Sequence, residues 1–312
     1  MGSSAQTNPP RQRSVVSPDV AWLDRQLTAA GRTRTGPVTE VRRRPWSSVY
    51  SAPTDHGTVW LKATGAGSAF EAGLHALIAR VCPGDVPVPI AVDAARGWLL
   101  LPDGGPTITG SVLTGLVEIL PKYALLQRKL TSHVDEMLTL GLTDMRPAAM
   151  PARLDEAIDA ARRRGGGDGL AEIRALRPRF TRWCARLAES PVPASVDHND
   201  LHPNSVFAAG PRLFDWGDAV VAHPFASALV ALQAAEGPDL VRLRDAYLEP
   251  FTDLAPHADL VGDLELACRV AKPARALVWD RALPRDESGP LAQAPRRTLL
   301  ALLDRNWLAL SH

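Results

Sequence analysis

The chain has little cysteine, little lysine, almost no net charge and no long apolar run. Its three cysteines, Cys82, Cys184 and Cys268, are odd in number and widely scattered across 312 residues. No CxxC or Cys/His pair accompanies them, which argues against a disulfide framework or a thiolate metal site. That usage fits a reducing compartment. The formal net charge is +1, so no global field favours nucleic acid or an acidic membrane. No apolar stretch is long enough to cross a bilayer. The opening MGSSAQTNPPRQRSVVSP lacks the apolar core of a signal peptide. These absences together predict a cytoplasmic protein with a disordered head over residues 1–17.

Lysine occurs only at Lys62, Lys122, Lys129 and Lys272, the other basic residues being arginine. Lys62 is thus alone in the first hundred positions. A lysine carries a compact point charge that arginine does not reproduce, so Lys62 is either a chance survivor of an arginine-biased composition or a group chosen for its chemistry.

What is present divides into two halves, and the chain carries no internal repeats. PDVAWLDRQLTAAG predicts a short helix with Pro18 in its first turn and Gly31 past its end. VTEVRRR, SSVYSAP and GTVWLKAT then read as three strands, with TDHG as the hairpin turn between the last two. Over 67–81 the apolar positions Phe70, Leu74, Leu77, Ile78 and Val81 recur at helical spacing. VPVPIAVDAARGWLLLPDGG supplies two more strands around Ala95–Gly97. Beyond Gly105 long amphipathic stretches dominate, at about 111–140, 151–163, 169–189 and most of 224–310, with GGGDG at 165–169 as a break. The expected fold class is α+β, with a small, mostly β part over 18–105 and a larger, mostly helical part over 106–312.

The densest polar chemistry is HNDLHPNSVFAAGPRLFDWGD, from His198 to Asp218. SVF and RLF flank a turn near Ala209–Gly210, and the expected antiparallel register sets Ser205 opposite Asp215, with Asn204 pointing the other way. An oxygen-rich pair beside the loop carboxylate of Asp200 suits a hard cation such as Mg²⁺. Taken singly, Asp200 and Asp215 also fit plain turn caps. His198, Asp200 and His202 have an H-x-D-x-H spacing that a hydrolytic metal centre could use, although no His-rich partner motif exists elsewhere.

HNDLHPNSV resembles the catalytic loop H-x-D-x-x-x-x-N of the aminoglycoside phosphotransferase family, a branch of the protein-kinase-like fold shared with choline kinases. FDWGD resembles the metal-binding D-[FWY]-G motif that follows it. The order of strands and helices is also that of the family, so the resemblance runs from about residue 37 to near the end of the chain. It implies a bilobal fold, ATP or GTP as phosphoryl donor, Mg²⁺ and a small hydroxyl acceptor. Asp200 then corresponds to the base that orients the acceptor hydroxyl, and Asp215 to the magnesium ligand. Lys62 corresponds to the strand lysine on the α- and β-phosphates, and Glu71 to its ion-pair partner. The resemblance also sets the base of the nucleotide near the LLLPDGG segment, on the backbone from Leu101 to Asp103.

Two departures matter. The family pattern wants asparagine five residues after the catalytic aspartate, and this chain has Ser205 there with Asn204 one position early. The alternation argument favours Ser205 as second metal ligand and keeps Asn204 as its competitor. The phosphate loop RRRPWSSVY contains no glycine, so backbone N–H groups, Ser47 and Ser48 are expected to meet the phosphates. Trp46 is read either as a cover for the nucleotide or as core, and Arg42–Arg44 as a solvated strand edge. Asp218 is expected to order the metal loop, and His223–Pro224 to turn into a helix. Trp279 and Trp307 read equally as pocket or core. Carboxylates from Glu236 to Glu265 interleave with arginine, as on an ordinary charged helix surface, so an antibiotic, a sugar and an amino alcohol all stay open as acceptors. A nucleotide-binding protein of the same fold without turnover is the alternative reading.

Overall fold

The structure, a computed structural model, describes residues 19–108, 112–165 and 167–310. The expected disordered head and Pro18 lie outside these residues. Helix α1 (Val20–Ala29) is started by Asp19, whose side chain accepts from the Trp22 N–H at 2.9 Å. That satisfies one of the donors a helix N-terminus leaves unpaired.

Strands β1 (Thr39–Arg44), β2 (Ser47–Thr54) and β3 (Gly57–Thr64) follow, then helix α2 (Phe70–Val81), then β4 (Ala91–Asp93) and β5 (Trp98–Pro102). They form one sheet in the order β1-β2-β3-β5-β4, antiparallel throughout. The β2–β3 turn takes Gly57 at a φ of 92°, which a side chain would strain. Alternation along β3 decides what each face carries. Val59, Leu61 and Ala63 are buried against α1, while Trp60, Lys62 and Thr64 face the other way, half-buried. Trp22, Leu23 and Leu27 of α1 close a small core with Tyr50, Ala52, Leu61, Trp98 and Leu100.

Helix α2 does not join that core. Phe70, Leu74, Leu77 and Ile78 are buried in the larger core of the helical part, and Val81 is only half-buried. Burying a Leu or Ile side chain contributes about 1.5–3 kcal/mol, so this face ties α2 firmly to the second part of the chain.

That part consists of α3 (Val112–Leu130), α4 (Val134–Thr139), β6 (Thr143–Asp144), α5 (Met150–Arg163), α6 (Leu170–Ala188), β7 (Ser195–Asp197), β8 (Val206–Phe207), β9 (Arg212–Leu213), β10 (Val220–Ala222), α7 (Ala228–Ala231), α8 (Gly237–Leu248), α9 (His257–Ala282) and α10 (Ala294–Leu300). The fold class is α+β, with the sheet in the N-terminal part and helices dominating the rest. The break at 165–169 falls between α5 and α6 as expected, with Gly166 outside the described residues. Among the described residues no helix is long and apolar enough to cross a membrane.

The β8–β9 hairpin corrects one expectation. Val206 pairs with Leu213 and Phe207 with Arg212, so Ser205 stands opposite Phe214, whose N–H donates to the Ser205 carbonyl at 3.0 Å. The turn is centred where expected, between Ala209 and Gly210. That centre sets position 205 against 214, one residue short of Asp215. With a side-chain period of two, one step of register reverses the face on which a residue lies.

Candidate active site

A cleft of about 550 Å³ separates the Lys62 face of the sheet from the His198–Asp218 segment and α9. Strand β3 brings Lys62 to it, α2 brings Glu71, and the turn after β9 brings Asp215. The Lys62 ammonium donates to Glu71 Oε1 at 2.7 Å and to Asp215 Oδ1 at 2.5 Å. Burial disfavours its charge, but the Asp215 and Glu71 carboxylates more than offset this and hold it above its ordinary value. Lys62 in turn holds the Asp215 carboxyl below the usual range. Glu71 is 1% exposed, and burial pushes its carboxyl up against the opposing pull of Lys62. Gly217 lies against this pair: a Cβ there would sit 3.1 Å from Glu71 Oε2 and 3.6 Å from Lys62 Nζ. Its carbonyl accepts from Ser68 Oγ at 2.9 Å and from Arg281 at 3.1 Å.

The other wall is the loop after β7. Asp197 is buried and accepts from the Asn199 N–H at 2.8 Å, from Asn199 Nδ2 at 3.1 Å and from Ser227 Oγ at 2.6 Å. These bonds hold Asn199 at a φ of 62°, a conformation Asn tolerates better than most residues. The chain is thereby turned so that Asp200 enters the cleft. His198 is buried against Trp216, with ring centroids 4.6 Å apart, and its Nε2 meets the Phe214 carbonyl at 3.1 Å. It braces the loop. His202 Nε2 lies 3.5 Å from Asp200 Oδ2. The H-x-D-x-H trio therefore does not converge, and among the described residues no group of three His, Cys, Asp or Glu could hold a metal.

Arg275 of α9 was not singled out by the sequence. Its guanidinium donates to Asp200 Oδ1 at 2.7 Å, to Asp218 Oδ2 at 2.9 Å and to the Asn199 carbonyl at 2.8 Å, with 10% of the side chain exposed. Burial pushes the Asp200 carboxyl up, but the His202 hydrogen bond and the Arg275 charge outweigh it and keep the group well below the usual range. Asp200 in return raises the His202 imidazole. Asp218 is tied through Arg275 to the Asp200 loop.

Other expected residues separate into those on the cleft and those off it. Trp46, Ser47 and Asn204 line it, while Ser48 and Ser205 do not. The Ser205 hydroxyl donates to the His202 carbonyl at 2.7 Å and accepts from its N–H at 3.1 Å, capping a short turn over Pro203–Ser205. Asn204 is exposed. Leu101 is registered against Trp60 inside the sheet, and the Asp103 N–H is spent on the Thr58 carbonyl at 3.1 Å. Neither is among the residues lining the cleft, and β-type pairing continues one residue past β5. The Arg42–Arg44 run is split by strand alternation: Arg43 pairs with Glu40, while Arg42 and Arg44 line the cleft mouth. Trp279 lines the cleft, and Trp307 packs on the larger core.

The donor set suits a small divalent cation. One carboxylate, Asp215, and one amide, Asn204, are too few ligands for an all-protein cage, and Mg²⁺ characteristically takes one or two carboxylates plus phosphate oxygens and water.

The phosphotransferase enzyme family matches residues 66–260, a span that includes Glu71, Asp200 and Asp215. No curated protein matches the sequence closely enough to count as a relative. Among solved structures, the choline kinase LicA from Streptococcus pneumoniae is 14% identical, covering 90% of this chain and 98% of its own, with a TM-score of 0.61. The macrolide 2'-phosphotransferase MphH from Brachybacterium faecium is 18% identical, with coverages of 83% and 92% and a TM-score of 0.53. An amicoumacin kinase in complex with AMP-PNP, Ca²⁺ and Ami is 11% identical, with coverages of 91% and 93% and a TM-score of 0.58. At these identities the likeness is one of fold. With well over half of its length matched by the family, the chain belongs to the phosphotransferase enzyme family.

Proposed function

We propose that the protein transfers the γ-phosphoryl group of ATP or GTP to a hydroxyl of a small molecule. The observation that carries this reading is the opposition, across one cleft, of the Lys62–Glu71–Asp215 cluster and Asp200. Lys62 neutralises donor phosphates, and Glu71 fixes its ammonium in place. Asp215 and Asn204 would hold Mg²⁺, which supplies charge neutralisation between the β- and γ-phosphates when bound. Ser47 and Arg42 and Arg44 add donors at the mouth.

Asp200 accepts a hydrogen bond from the acceptor hydroxyl and aims its oxygen in line with the γ-phosphorus. A new O–P bond forms as the bond to the β–γ bridging oxygen breaks, and the nucleoside diphosphate leaves. The electrostatics limit what Asp200 contributes. A carboxylate held well below its ordinary range is a weak base, so it positions the alcohol first. It takes the proton late, when a largely dissociative transfer has made the alcohol acidic. Catalysis is then mainly alignment and charge stabilisation.

The test is a phosphorylation screen of antibiotics, sugars and amino alcohols with both MgATP and MgGTP, run beside Asp200→Asn. Acceptor-dependent nucleotide consumption that falls by about 10²–10⁴-fold in the variant is expected. Retention of most of the rate in Asp200→Asn would show that the assignment is wrong.

A further inference from the structure

A second cavity, of about 160 Å³, shares two lining residues with the cleft. Arg275 and Trp279 line both spaces, and Arg275 holds Asp200. Arg297, Thr298 and Gln233 line the second cavity too, and among the described residues no carboxylate does. The Arg297 Nε is buried without a hydrogen-bond partner. Its neighbour Arg296 turns to Asp168 instead. An unmet donor on a charged group is costly to keep, and a fork of guanidinium donors matches the two oxygens of a carboxylate or phosphate.

The main cleft has the opposite property for a cation. All four of its carboxylates are already paired: Glu71 and Asp215 with Lys62, Asp200 and Asp218 with Arg275. An acceptor rich in ammonium groups finds no unpaired carboxylate there, whereas one with an anionic group finds Arg297.

We propose that the acceptor carries a carboxylate or phosphate, seated on Arg297 in this side chamber, with its hydroxyl reaching past Arg275 and Trp279 to Asp200. The inference rests on the phosphotransferase reading of the cleft. It narrows the acceptor from any small alcohol to an anionic one, and it sets polycationic acceptors aside.

Binding of four hydroxy compounds, glycerate, glycerol phosphate, ethanolamine and kanamycin, is measured by titration calorimetry on the full chain. Wild type, Arg297→Lys and Arg297→Glu are compared. At least one of the two anions is expected to bind wild type at least tenfold tighter than either amine. Arg297→Glu should lose that binding by tenfold or more, with Arg297→Lys between. Preference for an amine, failure of both anions to bind wild type, or equal binding to Arg297→Glu each overturns the proposal. MgATP is titrated into the same three proteins. Loss of nucleotide binding by the wild type sinks the phosphotransferase reading, while the anion titrations judge the chamber by themselves. Unchanged MgATP affinity in Arg297→Glu shows that this variant is folded.

Discussion

Arg275 and Asp200 lie 75 positions apart in the chain, yet the Arg275 guanidinium donates to Asp200 Oδ1 at 2.7 Å while also holding Asp218. One side chain of α9 thus fixes two acidic loops at once. Arg275→Ala leaves both carboxylates without their cation in a half-closed site, and a stability loss of about 3–5 kcal/mol is expected. Arg275→Lys keeps the charge and loses the fork, so it should recover part of the stability and little of the activity. Denaturant unfolding beside acceptor-dependent turnover separates the two.

The Asp200–His202–Arg275 group predicts a pH window. Asp200 is depressed in the fold, so its contribution is present above the unfolded carboxylate value of about 3.9 and is lost as pH falls through the folded one. His202 is raised, so its contribution is present below about 6.5 and is lost as pH rises through its folded value. The Tm gap between wild type and Asp200→Asn should therefore be widest between about pH 4 and 6.5 and narrow on either side. A gap independent of pH would contradict the pairing.

Lys62→Ala removes the cation that pairs with both Glu71 and Asp215. Turnover is expected to fall by about 10²-fold or more, with weaker nucleotide binding. Glu71→Gln keeps the volume and a hydrogen-bonding oxygen, and it should cost less in affinity than in turnover, because Lys62 remains charged but less firmly aimed. Fluorescent-nucleotide titration and initial rates give the comparison.

Gly217→Ala sets a methyl 3.1 Å from Glu71 Oε2 and 3.6 Å from Lys62 Nζ. The expected result is a nearly unchanged Tm with a raised KM for the nucleotide, since the crowding falls on the ion pair and not on the core.

Asn204 and Ser205 are separable. Asn204→Ala should raise the Mg²⁺ concentration needed for half-maximal rate and leave stability alone. Ser205→Ala removes the hydroxyl that caps the His202 turn and should cost about 1 kcal/mol without moving the Mg²⁺ dependence. The reverse pattern would return the metal contact to Ser205.

Much of this arrangement is legible in the sequence. The five strands and α2 follow from two periodicities, and the polar density at 198–218 marks one wall of the cleft. Lys62 emerged because lysine is rare in this chain. Arg275 did not, because it is one arginine among many on a long charged helix, and its meaning lies in a contact 75 positions away. The facing of Ser205 turns on register parity, which one residue of turn geometry reverses. On the edge expected to meet the base, pairing continues to Asp103, a detail of main-chain bonding that composition does not encode.

The apolar face of α2 belongs to the larger core, while β3 belongs to the smaller one. Glu71 therefore travels with the helical body and Lys62 with the sheet. Their 2.7 Å bond spans the joint between the two apolar cores, and it reports their alignment: a slide of the sheet by an ångström or two would part the ammonium from its carboxylate.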